Sequence, residues 1–175
     1  TIDGQLDEWD LSGQFISCKA APDLIDIESA RVAAMWDEEH LYLSFVFRDE
    51  EPLQNPWDPE VDPSHSWQGD CVQLRSWMDG FVSHVNLWYY TPEEQPASYI
   101  HYGRFGKHAE PQPEVDRPED PSELGLRQAF RLADDGAGYT QEVVIPWRVL
   151  TRSGEKPADG AELRLGLELF WNKVR

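Results

Sequence analysis

The sequence predicts an all-β fold, and three observations carry that prediction. Apolar and polar residues alternate with a period of two wherever Pro and Gly do not interrupt, no long stretch has helical periodicity, and the alternating runs are separated by short turn-forming clusters. Nine strands are expected: 14–20, 29–37, 40–49, 69–78, 81–90, 97–103, 124–133, 138–145 and 161–172. WDEEH at 36–40, Asp79-Gly80 and ADDGAG at 133–138 supply the Asp and Gly of tight reversals, so their flanking strands should pair antiparallel. PWRVLTRSGE, 146–155, opens with Pro and predicts one short helix before the last strand. The Pro- and acid-rich stretches 50–66 and 107–123 have too few apolar residues for strands and are expected to be long surface loops. No linker or internal repeat divides the 175 residues, which suit a single module over 1–175.

Composition narrows the function. With 33 acidic and 15 basic residues, the net charge of −18 would repel phosphate backbones and anionic lipid surfaces, which excludes nucleic acid and membrane partners from the reading. The two cysteines, Cys18 and Cys71, are equally compatible with one disulfide and with two free thiols. No nucleophile elbow, paired-Cys zinc spacing, H-E-x-x-H or phosphate loop occurs, so the chain is read as a non-enzyme. Glu142, on a strand among apolar neighbours, reads as a buried structural acid.

Strand alternation locates the candidate site. In 69–78, Val72, Leu74, Ser76 and Met78 share the core face, while Cys71, Gln73, Arg75 and Trp77 face away; in 81–90, Val85, Leu87 and Tyr89 point inward and His84, Asn86, Trp88 and Tyr90 outward. Joined through Asp79-Gly80, the two outward sets form one sheet surface of rings, amides, a guanidinium and an imidazole. A pyranose needs such a surface, having C–H faces that stack on rings and a rim of hydroxyls that bond to polar groups. Gln73, Arg75, His84, Asn86 and Trp88 are accordingly the candidate carbohydrate-binding residues that alternation supplies. Asp49, Glu51 and Asp70 offer hard oxygen ligands for a structural calcium ion on or beside the 50–66 loop.

Four segments in order, IDGQLDEWD (2–10), SARVAAMWDEEHLYLSFVFRDEEP (29–52), WQGDCVQL (67–74) and GYTQEVVIPW (138–147), resemble family 9 carbohydrate-binding modules and the wider DOMON-like β-sandwich group. The resemblance implies an antiparallel, immunoglobulin-like two-sheet sandwich, one module of a larger secreted or cell-surface polypeptide (extracellular or periplasmic), binding sugar without altering it and holding structural calcium. It assigns Trp67 as the first stacking tryptophan and places Gln73 where the family usually has a hydrogen-bonding Glu. The family's second stacking tryptophan follows the last strand, and Trp171, alternating with Leu163, Leu165, Leu167 and Leu169, is assigned instead to the core. Some DOMON-like relatives bind haem b, for which Met35 or Met78 with His84, His101 or Lys173 is the alternative ligand set; a Met in an apolar strand more often packs than ligates. A structural or interaction module without a sugar ligand is the other alternative.

Overall fold

A computed structural model of the protein describes residues 1–17, 22–103, 117 and 120–172. Within them lie nine strands: β1 (Phe15–Ser17), β2 (Ser29–Trp36), β3 (His40–Arg48), β4 (Cys71–Met78), β5 (Phe81–Tyr90), β6 (Gln95–Tyr102), β7 (Arg127–Leu132), β8 (Gly138–Pro146) and β9 (Arg164–Phe170). They form two sheets, ordered β1-β2-β3-β8-β7 and β6-β5-β4-β9, with every pair antiparallel. The all-β class predicted by the alternation and the antiparallel two-sheet sandwich implied by the resemblance are both observed.

The core lies between the sheets. Leu41, Leu43, Phe45 and Phe47 of β3 meet Val72 and Leu74 of β4 and Val85 and Leu87 of β5, with Val143 and Ile145 of β8 beside them. Each such side chain, once buried, contributes about 1.5–3 kcal/mol, so the alternation fixes which face turns inward and a one-residue slip would expose the whole set. Trp171 packs against this core, edge-on to Phe47 at 5.7 Å, and its indole donates to the Arg48 carbonyl at 3.0 Å. It sits partly buried at the edge of the core, on the inward side that its alternation predicts.

Local chemistry accounts for the connections. Asp79 and Gly80 close the β4–β5 hairpin with φ of 49° and 75°, the left-handed pair that a two-residue turn requires and that Asp and Gly accept most readily. The helix α1 covers only Trp147–Leu150, shorter than expected, because Thr151 turns the chain: its hydroxyl donates to the Trp147 and Glu155 carbonyls and accepts from the Gly154 N–H. β6 begins two residues before its predicted start, at Gln95, and includes Pro96. As an edge strand it leaves one side of its ladder unpaired, so the missing N–H of Pro96 is tolerated. The loop 50–66 contains no strand and ends in a 3-10 helix over Pro63–Gln68; most of the predicted loop 107–123 lies outside the described residues, as does Cys18. Cys71 is a buried free thiol whose pKa burial pushes up to about 12.

The opening segment is held by one acid. Glu142, fully buried on β8, accepts through Oε2 from the Asp3 and Gly4 N–H groups at 2.9 and 2.6 Å and through Oε1 from the Trp9 indole at 2.7 Å. Three donors satisfy a carboxylate that would otherwise be costly to bury. This explains IDGQLDEWD physically: its Gly4 and Trp9 close onto the Glu142 of GYTQEVVIPW.

Candidate functional site

The outer face of the four-stranded sheet is a grid whose rows are fixed by register. Cys71 lies between Trp88 and Phe170, Gln73 between Asn86 and Glu168, Arg75 between His84 and Gly166, and Trp77 between Val82 and Arg164. Rows are two residues apart, about 6.7 Å, and neighbouring strands about 4.8 Å. Ser64, Trp67, Gln73, Arg75, His84, Asn86, Glu168 and Phe170 together line a cavity of ≈ 350 Å³ on this face. Five of the six predicted sugar-binding residues therefore converge on one pocket.

The loop supplies its wall. Trp67, 44% exposed, lies in the last turn of the 3-10 helix, two residues before Gly69. Gly69 is required by crowding: a Cβ there would sit 2.5 Å from Asn55 Cγ and 2.8 Å from Asn55 Cα. The buried Asn55 is itself fixed, donating to the Ser66 and Asp70 carbonyls at 2.8 and 3.0 Å and accepting from the Trp57 N–H. Thus the W-x-G-D stretch sets Trp67 at the rim through Gly69 and anchors itself through Asp70. Phe170 lies 6.4 Å from Trp67, tilted by 56°, so the two rings form a corner and not a parallel slot.

The floor is a satisfied polar network. Gln73 Nε2 donates to Asn86 Oδ1 at 3.0 Å, and Asn86 Nδ2 donates to Ser66 Oγ at 2.8 Å. These bonds orient both buried amides, leaving the Gln73 amide oxygen as the acceptor it can offer a ligand. Arg75 is gripped bidentately by Glu168, 2.9 Å from Oε1 and 3.0 Å from Oε2, which holds the guanidinium plane in place and cancels its charge. His84 is kept neutral: burial, then the positive charges of Arg75 and His101, lowers its pKa to about 4. At neutral pH the pocket therefore presents a neutral imidazole, two amides and a closed ion pair beside two rings.

Trp88 does not join the pocket, a correction to the expectation from sequence. It is 1% exposed, its indole donates to the Trp57 carbonyl at 3.0 Å, and it packs with Cys71, Tyr90 and Ala97 as a second small core. The 50–66 loop folds over that end of the sheet, a covering that strand alternation cannot show. Glu168 and Phe170 are site residues that the sequence expectation lacks. The outward phase of β9, Arg164, Gly166, Glu168 and Phe170, carries their signal, but the alternating leucines dominate the segment, and three of them, Leu163, Leu167 and Leu169, pack on the other face.

Of the predicted calcium ligands, Asp49 and Asp70 lie against each other, both buried, while Glu51 stays exposed and its backbone N–H bonds Asp49 Oδ1 at 3.0 Å. Asp70 accepts from the Gln54 N–H and the Asn172 N–H, each at 2.7 Å. Burial first, and then the Asp49 charge, raises its pKa to about 7; burial also raises Asp49. Asp49 Oδ2 is buried without a hydrogen-bond donor. Among the described residues no three His, Cys, Asp or Glu converge on a metal-sized centre. For the haem alternative, Met78 lies on the core side of β4 and Met35 on the outer side of the five-stranded sheet, whereas His84 and His101 face out from the four-stranded sheet. Neither Met shares a surface with either His; Lys173 lies outside the described residues.

The fold is that of family 9 carbohydrate-binding modules. A family 9 module from Caldicellulosiruptor kristjanssonii in complex with cellotriose superposes over 99% of this chain and 73% of its own, with a TM-score of 0.58 and 17% identity. The same organism's family 9 module in complex with glucose superposes over 99% and 75%, with a TM-score of 0.56 and 16% identity. No protein-family profile and no curated protein matches the sequence.

Proposed function

We propose that this chain is a non-catalytic carbohydrate-binding module that seats a pyranose in the Trp67 pocket. The observation that carries the reading is the composition of that one cavity: two aromatic rings at a corner above oriented amides, a neutral imidazole and a neutralised guanidinium. Trp67 stacks on a C–H face of the sugar; Gln73 and Asn86 bond its hydroxyls; Arg75 keeps further N–H groups for a ring or hydroxyl oxygen; Glu168 offers a carboxylate acceptor across from Gln73. The solved modules of like fold, holding cellotriose and glucose, support the same ligand class. One principal stacking ring with a handful of hydrogen bonds suits micromolar to millimolar affinity, because desolvation and ordering offset most of each contact. The module would work within a larger exported polypeptide, delivering its neighbours to a glycan.

The reading includes a structural cation. The donorless Asp49 oxygen and the Asp70 carboxyl beside it are hard ligands that a calcium ion would hold charged, replacing the proton that Asp70 otherwise keeps. Asp49 and Asp70 would hold it, tying the β3 end to the start of β4 just behind the Trp67 segment.

Titration calorimetry with glucose and cellotriose tests the sugar site. Wild type should bind, and Trp67→Ala should lose tenfold or more while melting within a few degrees of wild type. Equal binding by both chains would remove Trp67 from the site.

A further inference from the structure

Beyond the Trp67 pocket the same sheet face continues. A second cavity of ≈ 560 Å³ shares Arg75 with the first and runs on to Trp77, Val82, Arg164 and Gly166. We infer that this continuation is a second subsite, so that the ligand is a linear neutral oligosaccharide of three or more sugars lying along β4, with its distal ring on Trp77. The inference rests on the sugar-binding reading of the Trp67 pocket and extends it.

Three observations carry it. First, Trp77 is 38% exposed on a solvent-facing sheet surface, where it serves neither core cluster. Arg164 lies over it, 5.0 Å from the ring centroid, and is held by Glu162 through Nε at 2.7 Å. Arg164 thus covers and braces one face of the ring, and the area that Trp77 still exposes lines the second cavity, where a sugar can contact it. Second, Gly166 interrupts the outward phase of β9 directly beside Arg75. Glycine weakens a strand, and inside one it often marks where another molecule approaches closely. A Cβ at Gly166 would meet only Arg75 Cβ, at 3.9 Å, so no neighbour forces glycine there; its absence of side chain leaves the second cavity open beside Arg75, the residue that both cavities share. Third, both arginines along the groove are matched by a glutamate, Arg75 by Glu168 and Arg164 by Glu162. With a chain of net charge −18, this favours a neutral ligand over a uronate or sulfated one. Gln73 and Trp77 stand four residues apart, about 13 Å along the strand, further than a monosaccharide reaches.

The test is calorimetry of wild type, Trp77→Ala and Gly166→Leu with glucose, cellobiose, cellotriose and cellotetraose. Wild type should gain affinity as the chain lengthens from one to three units. Trp77→Ala should lower cellotriose affinity about fivefold, the scale of one aromatic contact, and leave glucose unchanged. Gly166→Leu, which keeps the ring but fills the second cavity beside Arg75, should act the same way on cellotriose. If wild type binds glucose and cellotriose equally and neither variant alters either, the extension is wrong while the Trp67 site stands. If wild type binds none of the four sugars, the site itself fails and the extension with it.

Discussion

Removing the Asp70 charge should free the protein from a pH penalty that its fold builds in. Asp70 titrates at about 7 in the fold, against about 3.9 for an ordinary Asp. Between those values the native state keeps a proton that the unfolded chain has lost, so stability is fullest below pH 4 and falls as pH rises to 7. About three pH units at 1.36 kcal/mol each give a loss on the order of 4 kcal/mol by pH 8 in chelator. His84 works oppositely: with its pKa lowered to about 4, it costs stability as pH falls below about 6.5, so the wild-type profile alone mixes the two groups. The difference between wild type and Asp70→Asn separates the Asp49–Asp70 pair from His84. Asn keeps one acceptor for the two N–H groups that Asp70 bonds, at a cost of about 1 kcal/mol at low pH. Urea unfolding from pH 4 to 8 in EDTA should show Asp70→Asn less stable than wild type at pH 4 and more stable at pH 8. Calcium should rescue wild type at pH 8 and do nothing for the variant. A stability difference that stays constant with pH would refute the buried-pair account.

Three further outcomes follow from the same geometry. Glu142→Ala leaves the Trp9, Asp3 and Gly4 donors unmatched and should cost roughly 3 kcal/mol or more in denaturant unfolding, with early proteolysis at the amino-terminal segment; a wild-type midpoint would contradict this. Gly69→Ala forces a methyl group into Asn55 and should cost about 1–3 kcal/mol, with sugar binding weakened through the displaced Trp67; unchanged melting and binding would show that the loop gives way freely. Because His84 is already neutral above about pH 5, sugar affinity should be flat from pH 5.5 to 8, and a titration near 6.5 in the binding curve would show that the imidazole is not desolvated as described.

How far the sequence discloses this molecule depends on the range of the interaction involved. Strand positions and the β4–β5 grid are local: alternation sets Val72 and Leu74 against Gln73 and Arg75, and Asp79-Gly80 fixes their register with Asn86 and His84. That is why Gln73, Arg75, His84 and Asn86 are legible from alternation, while Trp67, outside the strands, is legible only through the W-x-G-D resemblance. What is not legible lies on pairings distant in sequence. Glu168 and Phe170 reach the pocket only because β9 docks beside β4, and nothing local to 161–172 announces that neighbour. Trp88 and Trp77 are equivalent by alternation; one is buried and the other exposed because the Trp57 segment folds over one end of the face. Asp49 and Asp70 read from sequence as two of three oxygen ligands beside a loop, and only the meeting of β3's end with β4's start makes them a buried pair without Glu51.

The most direct test of the central claim is a crystal structure with cellotriose. It should show one pyranose stacked on Trp67 with its hydroxyls on Gln73 and Asn86, and the chain running past Gly166 toward Trp77. Sugar found only away from this face, with the Trp67 pocket filled by solvent, would contradict it.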